Sequence, residues 1–285
     1  MALAYSAVMH GSTTGAPLLV GVDFSSAPTS RKPVVLAWGI RRGSRVSLQR
    51  LQACATHADM QSALRAQAQW VGGFDLPFGL PRELVEHLEW PTTWGACMDH
   101  YAGLTRAQIR DTFSAFTAAR PVGAKFAHRA CDRPAGSSPS MKWVNPPVAY
   151  MLHAGVPLLK ALPASLPGLD ERPEPRVALE AYPGLLAREL IGNRSYKSDD
   201  RAKQTTERLI ARKDLVDALE QGRTRLGLRV VLTHAQREQL VDDGSGDALD
   251  AVLCLMQAAW ASGQPRWGLP ADVDPLEGWI VSAGL

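Results

Sequence analysis

The stretch PLLVGVDFSS, residues 17–26, is an apolar run that ends in an aspartate and two serines. Two later runs have the same form: WVGGFD ends at Asp75, and RVALE ends at Glu180. A short apolar run followed at once by a charged residue and turn formers is typical of a buried strand that ends at a sheet edge. Parallel sheets bind ligands at the carboxyl ends of their strands, so we expect the three carboxylates to share one cleft.

A fourth acidic element opens the apolar helix that the stretch GDALDAVLCLMQAAW, residues 246–260, predicts. Asp247 and Asp250 are three residues apart and therefore share one face of that helix. Beside the carboxylates of the three strands, they would repel one another unless a cation or shared protons neutralised them. The pattern therefore predicts a divalent-metal site.

Composition and charge are those of an ordinary globular protein. The chain has 285 residues, of which 46% are hydrophobic and 21% are charged, and we expect one domain over residues 17–285. A net charge of +3 is too small to indicate a polyanionic partner, although it does not oppose one. Residues 1–16 are rich in Ala, Ser, Thr and Gly and predict a flexible N-terminal extension.

The four cysteines are widely scattered and show neither a CxxC motif nor zinc-ligand spacing. No signal-peptide core and no apolar run of membrane-spanning length is visible. These features predict a cytoplasmic protein with reduced thiols and no membrane contact. The sequence leaves the oligomeric state open.

The order of predicted elements is β-β-β-α-β, then a mostly helical insertion over about residues 82–175, then β-α and further helices. Residues 32–40 and 44–51 form the second and third strands, and the short turn between them favours an antiparallel hairpin. A helix over 57–69 leads into the strand that ends at Asp75. We expect a mixed five-stranded α/β sheet in the order 3-2-1-4-5, flanked by helices.

This order of elements, with acids on strands one, four and five and on the last helix, resembles the ribonuclease H-like fold. More narrowly, the chain resembles the family of predicted ribonuclease H-like nucleases called domain of unknown function 429, over about residues 18–262. The stretches that carry the resemblance are GVDFSS (21–26), FDLPFGLP (74–81), HRACDRP (128–134), LEAYP (179–183), SYK (195–197) and DALDAVLC (247–254).

The resemblance implies phosphodiester hydrolysis, which needs an activated water, a stabilised transition state and a neutralised leaving oxygen. Two Mg²⁺ or Mn²⁺ ions about 4 Å apart supply all three, and they prefer carboxylate oxygens as ligands. The predicted catalytic residues are the carboxylates that end the strands, together with the helix acid Asp250. The predicted metal ligands are Asp23, Asp75, Glu180, Asp247 and Asp250.

Each carboxylate also has a plainer interpretation. Asp23 and Asp75 could shape the turns that follow their strands, and Glu180 could pair with an arginine of the insertion. Asp247 follows a glycine and fits the N-cap of the last helix, which makes Asp250 the stronger ligand candidate.

Basic and hydroxyl residues are candidates for holding substrate. Arg129 and Arg133, in the insertion, could grip phosphate groups through paired guanidinium hydrogen bonds. Ser25 follows the first strand, and Lys197 comes soon after the fifth, so both are predicted to face the cleft. The histidines are scattered, and His128 is the one whose position beside Arg129 merits a test.

The sequence thus predicts a divalent-metal-dependent nuclease acting on nucleic acid. Two alternatives remain open. One is a non-catalytic or regulatory module that keeps the fold and binds a ligand, which the lack of a strong basic stripe favours over a duplex-DNA nuclease. The other is a hydrolase or phosphotransferase acting on a small phosphorylated ligand, to which the serines after the first strand also point.

Overall fold

A six-stranded mixed sheet forms the centre of the protein, as seen in a computed structural model that describes residues 17–285. The predicted extension, residues 1–16, lies outside the described residues. The strands are β1 (Leu18–Asp23), β2 (Val34–Arg42), β3 (Arg45–Cys54), β4 (Trp70–Phe74), β5 (Arg176–Glu180) and β6 (Arg229–Val231). Their spatial order is β5-β4-β1-β2-β3-β6.

Strand direction divides the sheet. The three strands β1, β4 and β5 run parallel, whereas β2 pairs antiparallel with both β1 and β3. The strand β6 pairs parallel with β3 through only three residues.

The predicted five-stranded order 3-2-1-4-5 is therefore wrong, because the sheet has a sixth strand, β6, beside β3. A three-residue strand carries no clear period-2 pattern, so the apolar run over residues 226–232 does not identify it in the sequence.

Ten α-helices accompany the sheet in the described part of the chain. Five of them lie between β4 and β5 in the sequence. The helices are α1 (His57–Arg65), α2 (Arg82–His87), α3 (Trp94–Ala102), α4 (Arg106–Ala118), α5 (Asp132–Ala135), α6 (Val148–Ala161), α7 (Pro183–Ile191), α8 (Thr206–Glu220), α9 (His234–Asp242) and α10 (Asp247–Ala261). Across residues 17–285, none of these helices combines the length and apolar character that crossing a membrane requires.

Alternating residues of the strands build an apolar core on each face of the sheet. Val20 and Val22 of β1 pack with α1 and with helices of the α2–α6 segment. Leu19 of the same strand packs in the opposite core, which contains α7, α8 and α10. The two-residue period of a strand produces this division.

The helix α10 packs directly against the backbones of β1 and β4. A Cβ atom on Gly21 would lie 1.9 Å from the Ala251 carbonyl oxygen, and one on Gly73 would lie 2.6 Å from the Cys254 carbonyl oxygen. Only glycine permits this approach of helix to strand. The glycines in GVD and GGFD therefore bring the first turn of α10 to the strand ends that carry the acids.

Candidate metal centre

Two carboxylates reach the same edge of the sheet from neighbouring parallel strands. Asp23 is the last residue of β1, and Asp75 directly follows β4. The strands are in register, with Val22 opposite Phe74. The Asp75 backbone N–H donates to the Val22 carbonyl oxygen at 2.9 Å, which extends the pairing to the strand ends.

A third carboxylate comes from the first turn of α10. Asp250 lies beside Asp23 and Asp75, and one oxygen from each of the three side chains lies within 4.8 Å of the others. Asp250 is fully buried, Asp23 is 7% exposed, and Asp75 is partly exposed. We call these three residues the acid group.

The three members of the acid group differ in their hydrogen bonds. Asp250 accepts from the Tyr196 hydroxyl at one oxygen and from the Lys197 ammonium at the other. Within residues 17–285, no donor forms a hydrogen bond to the carboxylates of Asp23 or Asp75. Both carboxylates line the cleft, and neither has a donor among these residues to offset its charge.

Burial and mutual repulsion raise the pKa values of the acid group. Burial, followed by the charges of Asp250 and Asp75, raises the pKa of Asp23 well above its usual value. The same causes, burial first and then Asp250, raise the pKa of Asp75 to about 7. Asp250 shows a raised pKa through burial, against which Lys197 acts to lower it. A bound cation would relieve this repulsion.

Hydrogen bonds to the neighbouring backbone and packing against Gly246 fix the position of the Lys197 backbone and stem. The Arg212 guanidinium, on α8, is buried and donates to the Tyr196 carbonyl oxygen at 2.7 Å. The aliphatic stem of Lys197 lies against Gly246, where a Cβ atom would come within 2.7 Å of the Lys197 Cβ. Gly246 also has φ +77°, the left-handed conformation that favours glycine.

Asp247 is paired with a different lysine. Its carboxylate accepts from the Lys32 ammonium at 2.8 Å, and Lys32 also contacts Asp199. The sequence allowed Asp247 to be the N-cap of α10. In the structure Asp247 is the first residue of the helix, and Gly246 is the N-cap. Asp243 takes the capping role instead, because its carboxylate accepts from the Ala248 backbone N–H at 2.9 Å.

Glu180 ends β5 at the same sheet edge but lies outside the acid group. Its two oxygens each accept from the Arg129 guanidinium at 2.7 Å, and the Phe78 backbone N–H donates to one of them at 2.9 Å. This is the arginine pair that the sequence left open as an alternative. Burial raises the pKa of Glu180, while Arg129 acts to lower it.

Arg129 is buried in a network that joins three parts of the chain. Its guanidinium also donates to Asp132 at 2.9 Å and to the Glu277 carbonyl oxygen at 3.2 Å. The Glu277 carboxylate in turn accepts from the backbone N–H groups of Arg82 and Ala130. We call Arg129, Asp132, Glu180 and Glu277 the arginine network.

A cleft of about 490 Å³ opens over the acid group. Its wall is mixed, with apolar residues from the segment before and within α6, and with small polar residues. The lining residues that bear on function are Asp23, Ser25, Lys32, Asp75, Arg129, Ser137, Pro147, Met151, Glu180, Lys197 and Asp247. Pockets of this size bury a small molecule or a single extended segment rather than a duplex.

The remaining predicted residues are divided between the cleft and the surface. Ser25 lines the cleft, and its carbonyl oxygen lies 2.8 Å from the His57 Nε2 atom. Arg133 is exposed and does not line the cleft. The Nδ1 atom of His128 is buried and has no hydrogen-bond partner among the described residues.

One residue of the site carries no warning in the sequence. Lys32 precedes β2 and reaches Asp247 across 215 positions, and nothing local marks it. Tyr196, by contrast, belongs to the SYK stretch, whose position soon after β5 predicts that it faces the cleft together with Lys197.

The site thus defines a mixed α/β protein with a carboxylate-rich cleft at the carboxyl edge of its parallel strands. The chain belongs to the family described as protein of unknown function (DUF429), whose model matches residues 21–274. This match confirms the resemblance to that family. No curated protein and no solved structure matches the chain.

Proposed function

We propose that this protein is a divalent-metal-dependent phosphoester hydrolase of the ribonuclease H-like superfamily, and a nuclease in its main activity. The observation that carries the proposal is the acid group. Asp23 and Asp75 face a cleft from adjacent parallel strands, beside a third carboxylate, and neither has a hydrogen-bond donor among residues 17–285. Such an arrangement is unfavourable by itself and favourable around a cation.

The donor set fits Mg²⁺ or Mn²⁺. All the available ligand atoms are carboxylate oxygens, which these hard cations prefer, and no histidine or cysteine joins them in the described part of the chain. Mg²⁺ is commonly held by one or two carboxylates and keeps several waters, whereas Ca²⁺ takes six to eight oxygens. Asp23 and Asp75 would hold the ion, with Asp250 behind them.

The cleft over the acid group would take the phosphoester, next to the ion. A bound ion of this kind supplies Lewis-acid stabilisation of the phosphoryl oxygens and a lowered pKa for its water. The raised pKa of Asp75, about 7, lets that carboxyl exchange a proton near neutral pH when no ion is bound. Lys197 stays paired with Asp250 and balances part of the negative charge beside the ion.

The cleft favours a strand end or a small phosphoester over a duplex. Its three cationic side chains, Lys32, Arg129 and Lys197, each contact a carboxylate. Five carboxylates and three cations line it, a formal charge of −2 when all are ionised. A polyanion therefore meets no excess of positive charge there, and non-specific nucleic-acid binding depends on such an excess.

The second candidate is accordingly a hydrolase of a small phosphorylated molecule. The volume of about 490 Å³ supports it, since clefts of roughly 300–1,000 Å³ suit small ligands. Ser137 and Pro147, which line the cleft and do not belong to the acid group, would contact the rest of such a molecule.

Turnover of a graded substrate panel tests the proposal. The panel is bis(4-nitrophenyl) phosphate, mononucleotides, dinucleotides, single-stranded DNA and RNA, and duplex DNA, with EDTA-treated protein and added Mg²⁺ or Mn²⁺. We expect metal-dependent hydrolysis of phosphodiesters, faster on single strands or short substrates than on a duplex.

The Asp23→Asn variant is the matched negative control, and Asp111→Asn, which changes an exposed acid outside the cleft lining, is the positive one. Equal turnover by wild type and Asp23→Asn would refute the assignment of the site. Binding of a panel member without turnover would support the non-catalytic module instead.

A further inference from the structure

One cation, the Lys197 ammonium, lies directly beside the acid group. It contacts one Asp250 oxygen while the Tyr196 hydroxyl contacts the other. Both oxygens of Asp250 are therefore occupied, whereas those of Asp23 and Asp75 face the cleft without donors in the described chain. The acid group is thus asymmetric, with one neutralised side and one open side.

The position of Lys197 is built into the fold. Arg212, itself 4% exposed, bonds the carbonyl oxygens of Tyr196 and Val241 at 2.7 Å each. The Ser198 backbone N–H donates to the Gly244 carbonyl oxygen at 3.0 Å, and the Lys197 stem packs on Gly246. The backbone on each side of Lys197 is therefore fixed to the loop that begins α10, which is also the helix that carries Asp250.

Charge balance gives the number of ions that the site can take. Three carboxylates and one ammonium leave a formal charge of −2 in the acid group, which a single divalent ion neutralises. A second divalent ion at Asp250 would have to share the two carboxylate oxygens with Lys197 and Tyr196, and it would stand next to the ammonium. Like charges at contact distance repel strongly in a partly buried site.

We propose that the Lys197 ammonium occupies the second cation position of the acid group, so that the site binds one divalent ion, between Asp23 and Asp75. This inference rests on the proposed function, and it replaces the two ions that the family resemblance implies by one. It makes Lys197 a fixed counter-charge for Asp250, and not a free phosphate-binding lysine.

Calorimetric titration of Mn²⁺ into the EDTA-treated full chain at pH 7.5 tests this inference, with the count of bound ions checked by electron paramagnetic resonance. Wild type is expected to bind one ion. Lys197→Ala is expected to bind a second ion or to bind the first at least about tenfold more tightly, because a repelling charge is gone and Asp250 is freed. Lys197→Arg keeps the charge and should still bind one ion.

Lys203→Ala is the matched control, because Lys203 is an exposed lysine whose carboxylate partner among residues 17–285 is Asp200. It should leave both the count and the affinity unchanged. Two ions in wild type would overturn the inference while leaving the proposed hydrolase intact. An unchanged count and affinity in Lys197→Ala would overturn it as well. No bound ion in wild type would overturn both proposals.

Discussion

Two groups of carboxylates stand at the same edge of the sheet and differ in how their charge is neutralised. In the arginine network, Glu180 receives two hydrogen bonds from one guanidinium and a third from a backbone N–H. In the acid group, only Asp250 has donors among residues 17–285. The first arrangement holds the α2–α6 segment and the C-terminal segment on the sheet. The second leaves negative charge uncompensated and therefore suits a cation.

Five acids with the same kind of sequence pattern therefore have different surroundings in the structure. All were candidates because each ends a strand or begins a helix. Their partners separate them: a guanidinium for Glu180, an ammonium for Asp247 and for Asp250, and none in the described chain for Asp23 and Asp75. Five predictions, from the largest expected effect to the smallest, test this separation.

Loss of a carboxylate from the open side should have the largest effect. Asp23→Asn is expected to lower metal-dependent turnover by about 10³-fold or more, because metal-assisted catalysis supplies several kcal/mol. Initial rates at saturating Mn²⁺ measure this. Asp132→Asn, which removes a carboxylate charge from the arginine network instead, should lower stability more than it lowers the rate per folded molecule. A reversed pattern would contradict the comparison.

Breaking the arginine network should destabilise the fold. Arg129→Met leaves Glu180 and Asp132 buried without their counter-charge, and removing one partner of a buried ion pair costs about 3–5 kcal/mol. Chemical denaturation measures the free energy of unfolding. Adding Glu180→Gln should recover part of the loss, and a double variant as unstable as the single one would show that the pair does not act as a unit.

Separating α10 from the strands should impair both stability and metal binding. Gly21→Ala places a Cβ atom against the Ala251 carbonyl and the Leu255 backbone nitrogen, and forced overpacking costs about 1–3 kcal/mol. We expect weaker Mn²⁺ binding as well, because Asp250 moves with the helix. Gly95→Ala, where a Cβ atom meets no atom within 4 Å, is the control: it should leave Mn²⁺ binding unchanged and should not lower stability, since alanine favours the helix that contains this position.

Stability of the metal-free protein should fall as the pH rises. The carboxyls of Asp23 and Asp75 have raised pKa values when folded. Between about pH 4 and pH 7 the folded chain keeps a proton on Asp75 that the unfolded chain has released. The free energy of unfolding therefore decreases over this range, and the contribution of Asp75 then levels off.

For Asp75 the decrease is at most about 4 kcal/mol, and partial exposure reduces it through solvent screening. Denaturation at pH 5, 6, 7 and 8, in EDTA, measures it. The Asp75→Asn variant should show a flatter profile, and stability that rises over the same range in wild type would contradict the pKa shifts.

The smallest effect is expected at Arg133, which is exposed and lies away from the cleft lining. Arg133→Ala should leave stability within about 0.5 kcal/mol of wild type, as surface substitutions usually do, and should leave turnover unchanged. A clear rise in KM for a phosphodiester would restore Arg133 to the substrate-binding residues that the sequence predicted.

Much of the site can be predicted from the sequence, because the patterns that mark its acids are local. The strand pattern before Asp23 and Asp75 and the helical spacing of Asp247 and Asp250 are read within a few residues. The glycines of GVD and GGFD are also visible, although their purpose, the close approach of α10, requires the structure.

The partners of these acids cannot be predicted from the sequence, because each contact joins distant parts of the chain. Lys197 meets Asp250 across 53 positions, Arg129 meets Glu180 across 51, and Lys32 meets Asp247 across 215. A sequence pattern reports which side chains are available, whereas tertiary packing decides which charges meet. The three-residue strand β6 was missed for a related reason, because its pairing with β3 is also non-local.

Thermal unfolding with and without Mn²⁺ tests the central claim most directly, in wild type and in Asp75→Asn at pH 8. Without the ion, Asp75→Asn should unfold at the higher temperature, because a repelling charge is gone. With Mn²⁺ at about 100 times its Kd, wild type should gain about 2.7 kcal/mol, a rise of roughly 5 °C or more, and the variant little. Equal shifts in both proteins, or no shift in wild type, would contradict a metal site at the acid group.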